Sequence, residues 1–150
     1  MTLTQNMTLT LTNAEAAITR GKQQAATINV PMNIVVVDSG GHLKAFARMD
    51  GAVLGSIEIA QRKAKTAILF EMNSEAVFEF CKPGAPAFGL EQTNGGLTVF
   101  AGGIPLRDSE GKVIGAVGVS GGTVPQDFIV AQAAAAAFPT TSDKGGQEAK

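Results

Sequence analysis

The residues best placed to do chemistry in this sequence are charged groups set beside glycine or proline. Arg48 and Asp50 flank Met49, Glu91 and Asn94 precede Gly95-Gly96, and Arg107 with Asp108 closes the stretch TNGGLTVFAGGIPLRD. Each arginine can clamp a carboxylate through a bidentate fork. Glu91 or Asp50 can act as general acid or base once its surroundings tune its pKa. Asn94 and the amides of Gly95, Gly96, Gly121 and Gly122 can orient a polarised oxygen. The run SGGT, ending at Thr123, leads into a predicted helix whose first N–H groups can receive a carboxylate. The competing reading makes these residues satisfied turn groups and surface pairs, which contribute little energy.

Spacing removes the phosphate motifs. The chain has neither a Walker loop nor Gly-x-Gly-x-x-Gly after a strand, so its glycine pairs also read as turns and as places where a helix lies close to a sheet. His42 is the only histidine, which excludes a two-histidine zinc site and makes it the chain's best nitrogen donor. A solvated turn histidine is the plainer account of it. An axial imidazole is one way to hold heme, and Met, Cys or oxygen donors are others. Cys81 stands alone, so no intrachain disulfide forms, and it reads as a small buried apolar residue.

The elements that must position these groups follow from periodicity. Thr12 and Glu15 form a capping-box pattern for a helix over 13–28. NIVVVD (33–38) and the alternating HLKAFARMD (42–50), joined by Ser39, Gly40 and Gly41, predict an antiparallel hairpin. A second helix starts at Ser56, with Ile57, Ala60, Ala64, Ala67 and Ile68 on its buried stripe and Gln61, Arg62, Lys63 and Lys65 outward. A short helix covers 73–81, and a loop rich in proline and glycine follows to Gln92. Strands are expected over 96–101, 104–107 and 113–122, with DSEGK (108–112) as a polar turn. An alanine-rich helix then runs from about Thr123 to Ala137. This order predicts one α+β domain with five strands and about four helices.

Composition narrows the partners. The chain has 150 residues, 12 basic and 13 acidic groups, 45% hydrophobic residues and no Trp or Tyr. No basic cluster is present to neutralise phosphates, so nucleic acid is not an expected partner. No stretch is long enough to span a bilayer, and the N-terminus lacks the n- and h-regions of a secretion signal, so a cytoplasmic location is the expectation. Residues 1–11 read as a flexible extension, 12–138 as the domain, and 139–150 as a disordered tail.

The motifs NIVVVDSGGHLKAFARMDGA, AQRKAKTA, LEQTNGGLTVFAGGIPLRD and GKVIGAVGVSGGTVPQD, in that order over residues 12–138, resemble the GlcG/HbpS-like family. That family is related to the C-terminal domain of PduO-type proteins. The resemblance implies a profilin-like fold with a five-stranded antiparallel sheet, and assembly as homo-oligomers from dimer to octamer. It also implies heme or a related tetrapyrrole as a small-molecule ligand; the residues themselves offer His42 as a ligand for it, and the arginines as partners of a small anion. Some heme-binding relatives use an N-terminal histidine, and residues 1–30 here contain none. Two alternatives stand beside heme binding. One is an enzyme of small or aromatic carboxylate catabolism that uses Arg48 and Arg107 as clamps. The other is an accessory scaffold of a catabolic operon, assembled through the glycine-rich strands and the alanine-rich helix.

Overall fold

The computed structural model describes residues 8–138. The expected tail, and most of the expected N-terminal extension, lie outside the described residues. Helices α1 (Leu11–Thr27), α2 (Ser56–Phe70), α3 (Ser74–Cys81) and α4 (Val124–Ala135) accompany strands β1 (Asn33–Asp38), β2 (Leu43–Arg48), β3 (Gly103–Arg107) and β4 (Val113–Ser120). The strands form one antiparallel sheet in the order β2-β1-β4-β3. Among the described residues the fold is therefore α+β with four α-helices, and its sheet has four strands rather than the expected five.

The missing strand is the one expected over 96–101. Its backbone bonds are drawn elsewhere: Leu97 N–H donates to the Glu91 carbonyl at 2.8 Å, and Thr98 N–H to the Thr66 hydroxyl on α2 at 3.1 Å. With Gly96 N–H on the Thr93 carbonyl as well, the first three donors of the segment are committed to a helix side chain and to the 3₁₀ turn at and after Leu90–Gln92 rather than to a ladder.

The first helix starts two residues earlier than expected. Thr10, not Thr12, is its cap, and its hydroxyl accepts the Asn13 N–H at 3.0 Å. At α2, Gly55 holds the cap position and Ser56 is the first helical residue.

Alternation along β1 and β4 builds two cores. Ile34, Val36, Val117 and Val119 pack with α1 and α4, joined by Leu9, Met32 and Val130. Val35, Val37 and Ala116 pack with Ala60, Ala64, Ala67 and Ile68 of α2. The sheet is thus sandwiched between helix layers, as two apolar faces require.

Gly103 and Gly118 are directly opposed in register beneath α2. A methyl group on Gly118 would fall on the Ala60 carbonyl, and one on Gly103 on the Lys63 carbonyl. Their bareness is what lets α2 lie on the sheet. This use also settles the expected assembly surfaces. β4 is internal, and Val130, Ala131 and Ala134 of α4 are buried within the chain, so the glycine strand and the inner face of the alanine helix are spent on the fold.

Candidate functional site

The register distributes the candidate residues over two ends of the sheet. Arg48 lies on edge strand β2 opposite Asn33, which pairs in turn with Ser120. Arg107 lies on the other edge strand, opposite Val113 at the far end of β4. Three strand spacings alone separate these edges by roughly 14 Å, so within one chain the two arginines do not clamp a single carboxylate. Arg48 and Asp50 are both exposed. Arg107 is half-buried and donates to the Gly111 carbonyl at 3.1 Å and the Glu71 carbonyl at 3.0 Å.

Two of the four glycine amides, those of Gly96 and Gly122, are committed within the chain. Gly96 N–H donates to the Thr93 carbonyl, and the carbonyls of Gly95 and Gly96 both accept from the Arg62 guanidinium. Asn94 has a positive φ of 55°, and its carbonyl accepts from Lys65. This loop therefore presents carbonyls to cations of α2. At the start of α4 the amides do receive a carboxylate, as their position suggests, but from within the chain. Gly122 N–H donates to Asp127 Oδ1 at 2.9 Å, and Thr123 N–H to Gln126 Oε1 at 2.9 Å in a complete capping box.

Asp127 also exposes a misreading of α2. Lys63, expected outward, is fully buried: its Nζ donates to Asp127 Oδ2 at 2.9 Å and to the Val119 carbonyl at 3.0 Å. The Phe100 ring centroid lies 5.0 Å away. Burial pushes the Lys63 ammonium below its ordinary value, and the Asp127 carboxylate opposes that shift. The signal was in the spacing, because 60, 63, 64 and 67 form one helical stripe. Charge alone put Lys63 on the wrong face.

Glu91 sits on the 3₁₀ turn, half-buried, with its Oε1 atom buried and without a well-formed hydrogen bond. Its carboxylate lies beside the buried Cys81 thiol. Burial first, and this carboxylate second, hold the thiol above its ordinary value. The surroundings of Cys81 thus disfavour the thiolate, the nucleophilic form.

His42 is exposed at the β1–β2 turn, where it lines a cavity of about 490 Å³ with Asp38, Ser39, Lys44, Lys112 and Ile114. Among the described residues, no group of three or more His, Cys, Asp or Glu can hold a metal ion. No described helix is long and apolar enough to cross a membrane.

A small α+β domain with a four-stranded antiparallel sheet between helix layers, and a cavity at its turn end, is the class these features define. A family model described as "Haem degrading protein HbpS-like" matches residues 9–136, and the chain belongs to this GlcG/HbpS-like family. It is 41% identical over 135 residues to a 15.0 kDa protein of the dhaT-dhaS intergenic region of Citrobacter freundii, covering 89% of this chain and 94% of that one. It is 42% identical over 107 residues to protein GlcG of Escherichia coli K12, covering 71% and 77% of the two chains. It is 39% identical over 125 residues to the corrinoid adenosyltransferase PduO of Salmonella typhimurium, covering 82% of this chain but only 35% of that longer protein.

Among solved structures, the PduOC:heme complex superposes with a TM-score of 0.83 at 33% identity, covering 88% of this chain and 96% of that one. Klebsiella pneumoniae protein ORFY gives 0.84 at 37%, covering 89% and 93%.

Proposed function

We propose that this protein is a cytoplasmic, homo-oligomeric small-ligand-binding protein whose ligand is heme or a related tetrapyrrole. The observation that carries this reading is the similarity, over nearly the full length of both chains, to a domain solved as a heme complex. The donor set fits. His42 is exposed, its ring makes no hydrogen bond among the described residues, and it stands at a cavity rim with Lys44 and Lys112. The imidazole would supply a nitrogen ligand to the iron, and the lysines would pair with the carboxylates of the group. The uncovered edge of β2, with Leu43 and Phe46 exposed, favours assembly with further copies, from dimer to octamer. Titration with hemin is expected to give a saturable Soret band that shifts in His42→Ala. No saturable binding at micromolar hemin would remove the reading.

A second reading, catalysis on a small or aromatic carboxylate, is favoured by one observation, the buried Glu91 oxygen that makes no well-formed hydrogen bond. Glu91, or Asp50 at its exposed turn, then serves as acid/base. Arg48 or Arg107 singly, with the Asn94 side chain, holds the anion. Screening small carboxylates for turnover by NMR tests this, with Glu91→Gln expected to lose about 100-fold at unchanged melting temperature. Equal turnover by the variant would exclude Glu91.

A further inference from the structure

Two stretches far apart in sequence fold into the same turn. In DSGGH (38–42), Asp38 Oδ1 accepts the N–H groups of Gly40 and His42, each at 3.0 Å. The Asp38 carbonyl accepts Gly41 N–H at 2.9 Å, and Asp38 N–H donates to the His42 carbonyl at 2.9 Å. In DSEGK (108–112), Asp108 Oδ1 accepts from Glu110 and Lys112, each at 2.9 Å, and the same two backbone bonds recur at 3.0 and 2.9 Å. Gly41 and Gly111 take matching φ values of 82° and 86°, a left-handed position that glycine fills without strain.

Because β1 and β4 are antiparallel neighbours, the end of β1 and the start of β4 coincide, and the two turns stand side by side. The cavity of about 490 Å³ opens between them, floored by Leu9 and Ile114. The fifth residue of each turn, His42 in one and Lys112 in the other, lines it, and Lys44 of β2 joins them. The one acid in the lining is Asp38, and its Oδ1 already serves two amides.

The two lysines differ from most cations among the described residues. Arg62, Lys63 and Arg107 each hold a carbonyl or carboxylate, whereas Lys44 and Lys112 make no side-chain hydrogen bond or ion pair among the described residues. Two unspent ammonium groups, an imidazole and the Ser39 hydroxyl around one cavity make up a set of donors for a group that only accepts. We propose that the trough between the twin turns binds a small oxyanion, a carboxylate or phosphate group, through Lys44, Lys112 and His42.

Calorimetry and thermal shift with inorganic phosphate and with succinate, at ionic strength fixed by potassium chloride, test this. Saturable binding of either probe is expected, with stabilisation that grows by mass action. Phosphate alone binding assigns a phosphate group, and succinate alone a carboxylate. Lys112→Gln and Lys44→Gln should each weaken binding about tenfold, while Lys22→Gln on α1 leaves it unchanged. Stabilisation no greater than that by chloride, or equal binding by all three variants, would overturn the proposal. It uses the cavity and residues of the heme reading but does not require heme: protein that binds phosphate yet gives no Soret change loses that reading and keeps this one.

Discussion

The ion pair between Lys63 and Asp127 joins three parts of the chain through side chains that are 0% and 4% exposed. Lys63 reaches β4 through the Val119 carbonyl, and Asp127 holds the Gly122 amide at the start of α4. Removing one partner strands the other charge away from water. Asp127→Ala is therefore expected to cost about 3–5 kcal/mol in urea unfolding, and Lys63→Met/Asp127→Leu together less than Asp127→Ala alone. The pH dependence has a defined sign. With its native pKa lowered from 10.5 by burial, Lys63 holds its proton less firmly folded than unfolded. Its penalty is full at neutral pH and eases as pH rises through the interval up to 10.5. The stability of the wild type relative to Lys63→Met should accordingly improve across that interval, and a flat difference would show that Asp127 fully offsets the burial.

At the scale of elements, the seating of α2 on the sheet depends on two absent methyl groups. Gly118→Ala drives a Cβ into the Ala60 carbonyl, which is backbone and cannot rotate away, so a loss of roughly 3 kcal/mol is expected. Gly55, the N-cap of the same helix, has nothing within 4 Å of an added Cβ and already adopts a helical φ of −60°. Gly55→Ala should remain within about 0.5 kcal/mol of the wild type. Chemical denaturation of the pair separates close approach from glycine content as the cause. The hairpin over β1 and β2 and a helix start near Thr123 were legible because local signals, alternation and short glycine turns, mark them. The strand expected over 96–101 had the same alternation but lacked a partner, since its donors turn to Glu91 and Thr66. A ladder is a property of two segments, and only one of them was in view.

At the scale of the whole molecule, the sequence by itself determined the class of fold, the order of the helices and strands it does form, and the family. Each rests on patterns within a few residues or on long motifs in fixed order. The individual chemical groups at 48, 50, 91, 94 and 107 were visible as well, but not their neighbours. Tertiary structure alone decided that Arg48 and Arg107 stand on opposite edges of the sheet. It also decided that the amides before α4 are filled by Asp127, and that the two Asp-Ser turns meet around one cavity with His42, Lys44 and Lys112. The physical reason is strand order. Placing β1 beside β4 brings residues some 70 positions apart to one end of the sheet, a non-local pairing that no run of neighbouring residues encodes.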